Sequence, residues 1–135
     1  MAKKRISEYT SYIYIKNELS EIGWNTKNPT RNSDGQVYTQ QECHDHDELK
    51  KFLNKKKPEY VVKINEDSCY IIEAKGRIEE IDKAYQEAVD YAKMINKSKS
   101  IQAVIVSGVA GNDEDGYLVQ SAFLEKGTFK TINYH

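Results

Sequence analysis

The chain has 135 residues, enough for one domain around one core. Its 20 Lys and Arg against 21 Asp and Glu leave a formal net charge of -1; this excludes a global basic signature, so a nucleic-acid partner has to be gripped by a local patch or by another domain. No apolar span approaches the ~20 residues of a membrane helix and MAKKRISEYT has no signal-type apolar run behind its basic residues, so the chain reads as cytoplasmic, with Cys43 and Cys69 as thiols.

Ser7 is a good helix N-cap, and Tyr12, Ile15, Leu19 and Ile22 follow at helical spacing up to Gly23, predicting a first amphipathic helix. NTKNPTRNSDGQ is crowded with turn residues and reads as a loop. QVYTQQE suggests a short strand, and a short helix is expected from near Asp45 with Leu49, Phe52 and Leu53 inward. Pro58 breaks it. EYVVKI and CYIIEAK then read as strands joined by NEDS. A second long helix is expected from Ile78 to Asn96, with Ile81, Ala84, Ala88, Ala92 and Ile95 on one stripe. IQAVIVSG reads as a strand buried on both faces, GNDEDG as a turn, and YLVQSAFLE and FKTINYH as further strands. This order predicts an α/β or α+β domain with a mixed central sheet flanked by helices, and α/β is the expected class of the two.

Charges at the ends of the two middle strands stand out. Residues two apart on a strand share a face, so Glu73 and Lys75 set an acid beside an amine at the end of an otherwise apolar run. Such charges are costly unless paired or metal-bound. Glu59 opens the neighbouring strand. If Ile64 pairs with Cys69 around NEDS, Glu59 falls opposite Ala74 and the acids point to opposite faces. Their convergence therefore requires an odd loop or a bulge, and such an irregularity is predicted. Two carboxylates and a main-chain carbonyl are a hard-oxygen ligand set for Mg²⁺ or Mn²⁺, and a lysine beside the ion can hold a water for attack on a phosphodiester.

Pro58-Glu59 followed by Glu73-Ala74-Lys75 resembles the PD-(D/E)xK motif of restriction-endonuclease-like nucleases, with Glu59 where that family usually has aspartate. SEYTSYIYIKNELSEIGW is similar to the opening helix of N-terminal nuclease domains of type I and fused restriction-modification enzymes. The resemblance implies an α-β-β-β-α-β core over a single domain, 1–135, as the N-terminal piece of a larger protein. It implies a Mg²⁺-dependent endonuclease, with Mn²⁺ as substitute, acting on double-stranded DNA. Methyltransferase, specificity or motor parts would lie outside this chain. Glu59, Glu73 and the Ala74 carbonyl would hold the ion, Lys75 would position the water, and Glu8 would support the metal site from the first helix. The pocket is accordingly expected to face that helix. Family members carry Gln-x-x-x-Tyr on the helix after the motif; here Glu87, four residues before Tyr91, aligns with the glutamine, whereas Gln86 stands five before it and points away from the apolar stripe.

Plainer readings compete with each of these. Glu59, Glu73 and Lys75 could form a cross-strand ion pair on a solvated face, although Ile71 and Val61 on the same faces argue for burial. Glu8 could be a first-turn acid favoured by the helix dipole. Cys43, His44 and His46 are zinc-capable, but no second ligand pair follows at finger spacing. Lys50, Lys51, Lys55, Lys56 and Lys57 could be solvated or could steer phosphates. From another functional class, the alternative is a non-catalytic scaffold of the same fold that binds DNA or protein; within the superfamily, it is a repair or junction-resolving nuclease.

Overall fold

Ile15 and Leu19, one helical turn apart, are the buried positions of helix α1, seen over 14–21 in the computed structural model, which describes residues 14–132 apart from 22, 33 and 41. Strand β1 (Val37–Thr39) follows the polar loop. A 3-10 turn at Cys43–Asp45 leads into α2 (Asp47–Leu53), which starts two residues later than expected. Its Leu49 and Leu53 are fully buried, while Phe52 is half-buried beneath the Lys51 ammonium. β2 (Tyr60–Lys63) and β3 (Ser68–Lys75) come next. After a second 3-10 turn at Ile78–Glu80, α3 (Ile81–Ile95) buries Ala84, Ala88, Ala92 and Ile95 along one stripe. β4 (Gln102–Asn112), β5 (Gly116–Glu125) and β6 (Thr128–Ile132) complete the order.

The fold is α/β, with a mixed six-stranded sheet in the order β1-β2-β3-β4-β5-β6. Among the described residues only β3 and β4 pair in parallel, which a crossover element must join, and α3 is that element. β4 runs on through Gly111 and Asn112, so the turn expected over GNDEDG shrinks to 113–115. Gly111 there has φ 137°, and a Cβ on it would lie 2.0 Å from the Gly116 carbonyl oxygen, so the tight hairpin needs glycine.

Two cores lie on opposite faces of the sheet. On one, Leu49 and Leu53 of α2 and Ala88, Val89, Ala92 and Ile95 of α3 pack on Val61, Cys69, Ile71 and Val106. On the other, Ile15 and Leu19 of α1 pack on Val37, Tyr60, Val62, Ile72, Ala74 and Val109. β1, β2 and β3 alternate between these two cores, as the pleat requires. On the α1 face, the Tyr70 hydroxyl, Ser107 Oγ and Ser121 Oγ form a chain with 2.5 Å steps, which satisfies two buried serines. The ring of Tyr14 stacks on Tyr117 at 4.0 Å.

The α3 approach depends on one residue. Gly108 of β4 sits beside Glu73 of β3, and a Cβ on Gly108 would lie 2.3 Å from the Tyr85 backbone nitrogen. Glycine lets the first turn of α3 rest directly on the sheet next to Glu73.

Candidate active site

The hairpin register decides whether the strand acids meet. Lys63 pairs with Cys69, Val62 with Tyr70, Val61 with Ile71 and Tyr60 with Ile72. With Ile64 meeting Ser68 one step further on, the intervening loop is 65–67, an odd length, and not the four-residue NEDS connection. Asn65 Oδ1 accepts from the Asp67 N–H and folds the loop tip. Continued one step beyond Tyr60, this register sets Glu59 across from Glu73. The expected irregularity is thus an odd loop. A bulge does exist, at Cys69/Tyr70, but it lies between β3 and β4.

A main-chain consequence follows. The Ile64 N–H donates to the Ser68 carbonyl, so 64 and 68 are a hydrogen-bonded pair, and the alternation continues through 62/70 and 60/72 to 58/74. Residue 58 is proline. It has no N–H to give the Ala74 carbonyl, so the ladder ends there. The Glu59 N–H instead turns to the Glu73 side chain, donating to Oε1 at 2.7 Å.

Glu73 is 5% exposed. Burial raises its pKa from 4.5 to about 8; the Glu59 N–H opposes the rise, the Glu59 and Glu87 carboxylates add to it, and Lys75 opposes it. Lys75 Nζ lies 3.0 Å from Glu87 Oε2, with the two side chains 18% and 35% exposed. Tyr91 stands on the same flank of α3 as Glu87. Its hydroxyl is pushed up to about 12, first by burial and then by Glu73, Glu87 and Glu59. Gln86 bonds Asp90 at 3.0 Å on the exposed side of the helix, so Glu87 is the residue that the helix turns towards Lys75.

Glu59, Glu73, Lys75 and Glu87 thus gather at the C-terminal end of β3, under α3. Glu8 lies outside the described residues. The expected facing differs: Glu73 and Lys75 share the face of Ile71, which α2 and α3 cover, whereas Ile15 and Leu19 of α1 pack on the opposite face. Helical periodicity shows which side of a helix is buried, but not which side of a sheet it will cover.

Comparison of the chain with protein-family models, with curated proteins and with solved structures gave no match. The functional reading therefore rests on the site's own geometry.

Three participants had no separate signal in the strand pattern. Pro58 was read as a helix breaker, yet its missing N–H also ends the ladder at Ala74. Gly108, a lone glycine in a buried strand, marks a close backbone approach. Asn112 donates to the Gly76 carbonyl at 3.0 Å and pins the turn that follows Lys75.

The zinc-capable stretch has other partners. His44 Nε2 meets the Lys56 carbonyl at 2.9 Å, His46 Nδ1 accepts from the Leu49 N–H at 3.4 Å, and Cys43 is buried against the Gln40 carbonyl. Among the described residues no group of three or more His, Cys, Asp and Glu forms a ready ion cage. Both cysteines are free and buried. Burial raises Cys43 to about 11 and Cys69 to about 12, so neither is a thiolate nucleophile at neutral pH. Lys50, Lys51, Lys55 and Lys56 are exposed and Lys57 is half-buried. No helix among the described residues is long and apolar enough to cross a membrane.

Proposed function

We propose that this chain is a divalent-ion-dependent nuclease domain of the restriction-endonuclease-like class, hydrolysing phosphodiester bonds of double-stranded DNA. The observation that carries the reading is the meeting of Glu59, Glu73 and the Lys75–Glu87 pair at one end of β3. Two antiparallel strands, β2 and β3, followed by a helical crossover to the parallel strand β4, support the same assignment, with α2 standing between β1 and β2 as an addition to the expected order.

The residues fit Mg²⁺ or Mn²⁺. Mg²⁺ is commonly bound through one or two carboxylates, with waters and substrate completing its shell, so a closed protein cage is not required. Glu73 is held above the carboxylate range by burial and by two neighbouring acids, which marks a site short of positive charge. Glu59, Glu73 and the Ala74 carbonyl would hold the ion. Bound there, the ion would supply Lewis acidity to the phosphate and lower the pKa of a water.

Lys75 would orient the attacking water and offer positive charge to the phosphate. Glu87 holds Nζ in place by the 3.0 Å ion pair. The positive charge of Lys50 to Lys57, on α2 and the segment leading to Glu59, would draw the DNA backbone. Target choice falls to methyltransferase, specificity or motor domains outside this chain.

The test is nicking of supercoiled plasmid in Mn²⁺. Nicking by the wild type that disappears in Glu73→Ala and Lys75→Ala, both still folded by circular dichroism, supports the proposal. Metal-independent DNA binding without cleavage would favour a non-catalytic scaffold. An active Lys75→Ala variant would remove the lysine from the mechanism.

A further inference from the structure

A second concavity lies on the other flank of α3. At about 100° per residue, Tyr85, Val89 and Lys93 point roughly opposite to Glu87 and Tyr91. Between that flank and the β5/β6 hairpin runs an open groove of about 610 Å³. Val89, Tyr85 and Phe129 give it an apolar and aromatic lining, and Lys93 in the last turn of α3 and Lys97 just past its end stand along it. Both lysines are exposed, and among the described residues neither ammonium is in an ion pair.

Gln86, Asn96 and Gln102 of the lining are already hydrogen-bonded. Asn96 bridges both main-chain groups of Ala103, and the Gln102 amide donates to the Ser98 carbonyl at 2.9 Å. These bonds stiffen the end of the groove where α3 gives way to β4. What is left for a ligand is the uncovered part of two aromatic rings, the Thr128 hydroxyl and two cations. We propose that this groove binds a short single strand of nucleic acid, with a base against Tyr85 or Phe129 and successive phosphates on Lys93 and Lys97.

Charge complementarity and ring chemistry choose this occupant. An acidic peptide would satisfy the lysines and leave the rings without a planar partner. A duplex keeps its bases stacked and cannot offer a face to them. An unpaired strand offers both groups at once, and stacking on aromatic side chains is tolerant of sequence. The volume suits one or two nucleotides, within the usual range of small-ligand sites.

The probe is fluorescein-labelled dT8, followed by anisotropy on the full chain in EDTA, where no divalent ion is available. Hydrolysis does not run under these conditions, so failure here leaves the nuclease proposal standing, and success does not depend on it. The expected result is binding that the paired substitution Lys93→Gln/Lys97→Gln weakens about tenfold or more, with the slope of log affinity against log salt falling by about 1.4 for two lost phosphate contacts. Phe129→Ala should weaken dT8 but not an abasic strand of the same length. An rU8 arm tells which sugar is preferred. No binding, equal binding of duplex or polyglutamate, or indifference to the lysine pair would overturn the proposal. Lys93 and Lys97 are exposed, so the lysine variant should keep its urea midpoint; Phe129 also packs on the core, so circular dichroism verifies that its variant is folded before binding is compared.

Discussion

Replacing Glu73 by glutamine should make the metal-free protein more stable at alkaline pH. The folded state holds the Glu73 proton up to about pH 8 against an ordinary 4.5, because the carboxyl is buried beside Glu59 and Glu87. Between those values the folded state binds more protons than the unfolded chain, so stability falls as pH rises through the window and levels off above it. A rise of about 3.5 units at 1.36 kcal/mol each corresponds to roughly 5 kcal/mol across the window, of which roughly 3 kcal/mol has been lost by pH 7. Glutamine is nearly isosteric and its Oε1 can still accept the Glu59 N–H, so the 2.7 Å bond is retained while the charge is removed. Urea unfolding in EDTA, followed by Trp24 fluorescence from about pH 5 to about pH 9, should show similar stabilities at the acid end. Glu73→Gln should lead by a few kcal/mol at the alkaline end. Parallel curves, or a wild type that gains on the variant as pH rises, would refute the buried, neighbour-repelled state of this acid.

The same electrostatics govern other perturbations. Mg²⁺ should raise the melting temperature more at about pH 8 than at about pH 5.5, since a proton on Glu73 competes with the ion; saturation near 100 times Kd corresponds to about 2.7 kcal/mol, and an equal shift at both values would contradict this. Glu87→Ala should cut nicking about 10-fold to 100-fold by releasing Lys75, whereas Glu87→Gln, whose oxygen can still accept from Nζ, should retain most of the rate; equal losses would show that the lysine does not depend on this contact. Gly108→Ala forces the first turn of α3 off the sheet and should cost roughly 2 to 3 kcal/mol in urea unfolding, together with activity; an unchanged midpoint would mean that α3 is not seated there. Tyr70→Phe removes one link of the buried hydroxyl chain and should cost about 1 kcal/mol without affecting nicking.

Much of the architecture was legible because its signals are local. The α3 stripe of Ala84, Ala88, Ala92 and Ile95, the β-branched runs of β2 and β3, and the apolar β4 each carry their period in the chain. The need for an irregular hairpin was also legible, since convergence of Glu59 and Glu73 fails under an even loop. What local pattern could not show was the side of the sheet that each helix covers. That follows from how α3 crosses between β3 and β4, a relation between distant segments. The alignment of Glu87 over Gln86 was readable from spacing, and the Lys75 contact gives it a physical role. The groove along Lys93 and Lys97 was not foreseen, because one wall comes from α3 and the other from a hairpin some thirty residues later.

The account stands on Glu59 and Glu73 serving one ion, and Mn²⁺ titration followed by electron paramagnetic resonance reads this directly. The wild type should bind Mn²⁺ in a way that either Glu59→Gln or Glu73→Gln alone abolishes, while Lys75→Ala still binds. Wild-type protein that leaves Mn²⁺ free in solution, or variants that each remove a different ion, would contradict it.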